Sequence, residues 1–91
     1  MAVPVGYQQI TSLAASTALT IPTTFPQRPV RCIIRPQAQA VRWRDDGVAP
    51  TASVGYPLNV GDELLYDGEL SNIRFIEQAA SAAINVAYYY G

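Results

Sequence analysis

The side chains able to carry chemistry are few. Acids occur only as Asp45, Asp46, Asp62, Glu63, Asp67, Glu69 and Glu77, and cations only as Arg28, Arg31, Arg35, Arg42, Arg44 and Arg74. Paired carboxylates can hydrolyse a glycosidic bond or hold Ca²⁺. Asp45-Asp46-Gly47 lacks the alternating acid spacing of a calcium loop, however, and each acidic pair adjoins a glycine. There Asp bonds to the backbone and supports a turn. Histidine is absent and Cys32 is the sole cysteine. Imidazole acid–base catalysis, a Cys–His nucleophile and the common Cys/His zinc sites are thereby excluded. One cysteine closes no intrachain disulfide, and Cys32 shares its alternation with Ile34 as a small buried hydrophobe. The expectation is a protein that is not an enzyme and uses no cofactor or metal.

Binding chemistry is better represented. Arg42, Arg44 and Arg74 project from the solvent side of proposed strands, close to Asp45, Asp46 and Glu77. They can form bidentate Arg–carboxylate pairs inside the fold or across an interface. Seven acids interleave with six arginines, no lysine occurs, and the net charge is −1, so the balance argues against nucleic acid. Arginine without lysine suits a protein interface. Trp43 reads as a core anchor, the alternative being an aromatic platform for sugar. Tyr88-Tyr89-Tyr90 must place rings on both faces of a strand, so at least one ring leaves the core. The expected interface residues are Arg42, Arg44, Arg74, Tyr88, Tyr89 and Tyr90.

These side chains need a scaffold. Ninety-one residues make one small domain, for which size scaling gives about 5,200 Å² of folded surface. With 49% apolar and 14% charged residues, the chain is not a disordered tail. No apolar run approaches the ~18 residues of a membrane span, and Met1 to Gly6 lacks a signal-peptide pattern. A soluble protein in a reducing cytosol is expected. Prolines at 4, 22, 26, 29, 36, 50 and 57 break helical stretches and read as loops, strand starts or sheet edges. Between them runs period-two alternation: Cys32 and Ile34 against Arg31, Ile33 and Arg35; Val41 and Trp43 against Arg42 and Arg44; Ile84, Val86 and Tyr88 against Asn85, Ala87 and Tyr89.

The pattern predicts strands at 7–13, 17–21, 30–35, 40–44, 54–58, 62–66, 72–78 and 83–90. Asp45-Asp46-Gly47 and Asp67-Gly68 are expected to close tight turns of type I′. Ser12 to Ala18 reads as strand or helical turn, and Gln78 to Ala83 as a loop. The fold class predicted is all-β: a compact antiparallel β-sandwich of about eight short strands, jelly-roll-like. Residues 1–6 form an N-terminal arm before a single domain at 7–91.

One series of residues carries a family resemblance. It runs Val41-Arg42-Trp43-Arg44-Asp45-Asp46-Gly47-Val48-Ala49-Pro50-Thr51-Ala52, then Val54-Gly55, Gly61-Asp62-Glu63-Leu64, Leu70-Ser71-Asn72-Ile73-Arg74-Phe75-Ile76 and Ile84-Asn85-Val86-Ala87-Tyr88-Tyr89. This half of the chain resembles small proteins encoded among the virion genes of tailed bacteriophages, with weaker similarity around Leu19-Thr20-Ile21-Pro22. The Pro26-to-Pro29 stretch departs from that pattern and reads as a local loop. The resemblance implies a β-sandwich in the virion, assembled in the host cytoplasm. By analogy with phage decoration (cement) proteins, its partners would be the major capsid protein or other virion proteins. A homo-oligomer, with a trimer favoured, is expected, and no nucleic acid or membrane. A neck, tail or fibre-base component and a carbohydrate-binding module are the rival expectations.

Overall fold

A computed structural model describes residues 3–22 and 28–90. Eight strands follow in chain order: β1 (Val3–Ile10), β2 (Thr17–Ala18), β3 (Arg31–Gln37), β4 (Val41–Arg44), β5 (Tyr56–Leu58), β6 (Leu64–Tyr66), β7 (Arg74–Glu77) and β8 (Ala83–Tyr90). They form two antiparallel four-stranded sheets, ordered β1-β8-β3-β6 and β2-β7-β4-β5. That order is the double Greek key of a jelly roll, and the all-β sandwich expected from the alternation is what forms. No helix occurs among the described residues.

Side-chain alternation assigns each strand its inner face. Cys32 and Ile34 of β3, Tyr66 of β6, Phe75 of β7, and Ile84, Val86 and Tyr88 of β8 enter one shared core with Leu13, Val41 and Ile73. No polar or charged residue is buried among the described residues. The accessible surface is 5178 Å², matching the size scaling for a folded monomer of this mass. The in-strand prolines all sit where a ladder can spare a donor. Pro4 lies on edge strand β1 beside a bulge between Pro4 and Gly6, Pro57 on edge strand β5, and Pro36 beyond the end of β6.

Three expectations are corrected. Residues 3–6 are not an arm, because β1 begins at Val3 and pairs from Val3↔Tyr90 onward. The bulge lets the strand absorb Pro4 and continue. The Asp-Gly pairs do not close hairpins. Only β4 and β5 are both consecutive and paired, and residues 45–55 separate them; every other connection crosses from one sheet to the other. Finally, the strand expected at 17–21 shrinks to Thr17–Ala18, where the ladder to β7 stops at Ala18↔Arg74. Gln78 to Ala82 is a loop, as expected. Of the Pro26-to-Pro29 stretch, residues 26 and 27 lie outside the described residues.

Candidate functional site

The outward faces show where this molecule can bind. On the β1-β8-β3-β6 sheet, strand register aligns Tyr7 with Ala87, Ala87 with Ile33 and Ile33 with Leu65. Four apolar side chains thus form one continuous row across the sheet. Tyr7 is 66% and Leu65 69% exposed. Arg31 and Tyr89 flank the row on one side. On the other lies a polar row, with Gln9 opposite Asn85 and Asn85 opposite Arg35. Its groups bond to one another: the Tyr7 hydroxyl and Gln9 Nε2 donate to Asn85 Oδ1, Asn85 Nδ2 donates to Gln37 Oε1 at 3.0 Å, and Arg35 pairs with Glu63. Two shallow grooves share Ile33 and Tyr89: one of about 480 Å³ bounded by Arg31, Leu65 and Asp67, the other of about 220 Å³ over Ala87.

The predicted arginines gather on the outside of the other sheet. Arg44 stands directly opposite Arg74, and Arg42 lies two residues away on β4. Like charges so placed repel, and each guanidinium is engaged within the chain. Arg44 forks onto Asp46 (Nε to Oδ1, 3.0 Å), a contact that raises the arginine's pKa and lowers the carboxyl's. Arg74 donates to the carbonyls of Ser71 and Ile73 at 2.7 and 3.1 Å. Arg42 reaches across residues 45–55 and donates to the carbonyls of Ala52 (3.1 Å) and Gly55 (2.8 Å). Thr51 and Val54 close the tip of that loop with reciprocal backbone bonds. Gly55 has φ 144°, a conformation open to glycine alone. The loop is long but braced, and it holds Val48 and Val54 in solvent at 52% and 53% exposure, beside Tyr56 at the start of β5 at 61%.

The tyrosines divide as strand geometry requires, with one correction. Tyr88 is fully buried and cannot meet a partner. Its hydroxyl donates to Gln8 Oε1 at 2.7 Å, and burial pushes its pKa up. Tyr89 points outward beside Arg31, and Tyr90 is 40% exposed. Trp43 is half-buried against the core, its ring 4.9 Å from Tyr56 and edge-on to Tyr66 at 6.1 Å. Tyr66 donates to Asp45 Oδ2 at 2.9 Å, and burial with this bond pushes its pKa up to about 12. Gly68 is required by this contact, since an added Cβ would lie 2.5 Å from the Tyr66 hydroxyl oxygen. Cys32 is buried, and desolvation pushes its thiol up to about 12, far from a reactive thiolate.

Tyr7, Ile33 and Leu65 were not among the predicted site residues. Each reads alone as an ordinary apolar strand residue, and only the cross-strand register joins them. Among the described residues no cluster of three or more His, Cys, Asp or Glu side chains could hold a metal ion. Comparison with family models, curated proteins and solved structures returned no match. The described residues present an apolar strip on the outside of one sheet and a braced loop with exposed valines on the other.

Proposed function

We propose that this chain is a structural protein of a tailed-bacteriophage virion, acting as a decoration protein that seats on the assembled head and stabilises it without catalysis. The observation that carries this reading is the pair of apolar surfaces, one on each sheet, left open by a fold whose own core is complete. A protein that joins neighbours needs two such surfaces, and rigid ones lose less entropy on docking. The resemblance over residues 41–90 and the jelly-roll topology, used widely in capsids, support it. The braced loop with Val54, together with Tyr56 at the start of β5, is the surface assigned to the head.

The test is direct. Purified protein should co-sediment with heads that lack it, saturably, and raise the temperature at which they rupture. Val54→Asp and Tyr56→Asp should abolish both effects. Heads that neither bind the protein nor gain heat resistance would refute the proposal. One observation favours a second reading: the exposed Tyr56 ring borders a shallow groove with Arg44 and Asp46, a combination suited to a sugar ring. Glycan-array binding lost on Tyr56→Ala would establish it instead.

A further inference from the structure

We infer that the outer face of the β1-β8-β3-β6 sheet docks a second copy of this chain, sheet face against sheet face, about a two-fold axis. The inference rests on the adhesive reading above and names the partner of its second surface, a two-fold dimer in place of the trimer expected by analogy. Size comes first. Strands of eight, eight, seven and three residues, at about 4.8 Å spacing and about 3.3 Å rise, give roughly 400 Å² per copy. The total of about 800 Å² lies below that of a stable specific interface, so the contact is a weak and reversible one.

Shape and charge select a copy of the chain itself. Ala87 leaves a hollow at the centre of the apolar row, between the projecting Tyr7 and Leu65. In a two-fold contact, residue i meets j and j meets i, so each Leu65 edge can enter the other copy's groove over Ile33. Arg31 and Asp67 border the larger groove from β3 and the end of β6, and neither forms an ion pair among the described residues. The two-fold operation offers each Arg31 the Asp67 of the other copy. With Arg35 and Glu63 already paired, the face carries both signs in equal number. Such a face complements itself and offers a strongly charged partner no advantage. Its polar row pairs internally through Asn85 and Gln37, while Gln9 Oε1 and Gln37 Nε2, without a partner among the described residues, must bond across the contact.

Sedimentation equilibrium of the whole chain from about 1 μM to about 500 μM covers the affinities this area supports. A reversible dimer is expected. Leu65→Glu, at an exposed position that leaves the far-UV circular dichroism unchanged, should raise Kd on the order of 100-fold, because the contact is lost twice. Arg31→Asp should weaken the dimer, and adding Asp67→Arg should restore it. A monomer throughout, a trimer, or a dimer indifferent to both Leu65→Glu and the charge swap would overturn the inference. Head binding is read separately: a monomer that still protects heads defeats self-association alone, and a dimer that ignores heads defeats the decoration reading alone.

Discussion

The consecutive tyrosines of β8 make the sharpest test of the fold, because neighbours in sequence have opposite surroundings. Truncating Tyr88, which is fully buried, to alanine removes a whole ring from the core. Comparable aromatic truncations cost about 3–5 kcal/mol, a large share of the 5–15 kcal/mol typical of a domain. At about 4–8 °C per kcal/mol for this size, Tm should fall by at least about 12 °C. Tyr88→Phe separates ring from hydroxyl. Gln8 Oε1 would lose one donor but keep the Thr20 amide at 3.1 Å, so no buried acceptor is stranded. The cost should be about 0.5–1.5 kcal/mol. Tyr89→Ala should change stability by no more than about 0.5 kcal/mol. Thermal melts followed by near-UV circular dichroism, in a Leu65→Glu background that removes any contribution from self-association, measure all three. A Tyr89 truncation costlier than that of Tyr88 would refute the register, since a one-residue slip exchanges the two faces.

Further outcomes follow from other contacts. Gly68→Ala should cost about 1–3 kcal/mol, measured by urea unfolding, because an added Cβ would lie 2.5 Å from the Tyr66 hydroxyl oxygen and 2.7 Å from ring carbon Cζ. Arg42→Ala should free the β4–β5 loop and lower hydrogen-exchange protection of the Thr51 and Val54 amides at least tenfold, with global Tm little changed. Stability should also decline in alkali. The folded pKa values of Cys32 and Tyr66, each about 12, exceed their unfolded values near 8.5 and 10, so the folded state holds those protons longer. Their contribution is complete below about pH 8.5 and disappears as pH rises towards 12. Chemical unfolding from pH 7 to 11 should show the fall, and a flat profile would contradict it.

Much of this architecture was legible in the chain. Strict alternation in Arg31–Gln37, Arg74–Glu77 and Ala83–Tyr90 gave both the strands and their buried faces, because sheet burial imposes period two. Partnership was not legible. Asp67-Gly68 looks the same whether the chain folds back or crosses to the other sheet, so hairpins were expected where crossings occur. Pro4 suggested a loose arm because proline ends regular ladders, and nothing local announces the bulge that accommodates it. Tyr88 was assigned to a surface because three adjacent rings exceed what one face can hold, although its alternation with Ile84 and Val86 already marked it as the inward ring. The arginines were rightly grouped, yet their acceptors are mostly main-chain carbonyls, which sequence does not display. The apolar row escaped notice because its members come from four strands spread from position 7 to 87.

The position of β8 bears on how the chain reaches this state. It lies between β1 and β3, so two strands wait for the last of the eight before either gains its full complement of ladder bonds. During synthesis, β1 and β3 emerge before the strand that joins them, and among the described strands only β4 and β5 are neighbours in both sequence and sheet. Folding should therefore be slow and concerted, with nascent chains exposed to mispairing until that final ribbon slides into place.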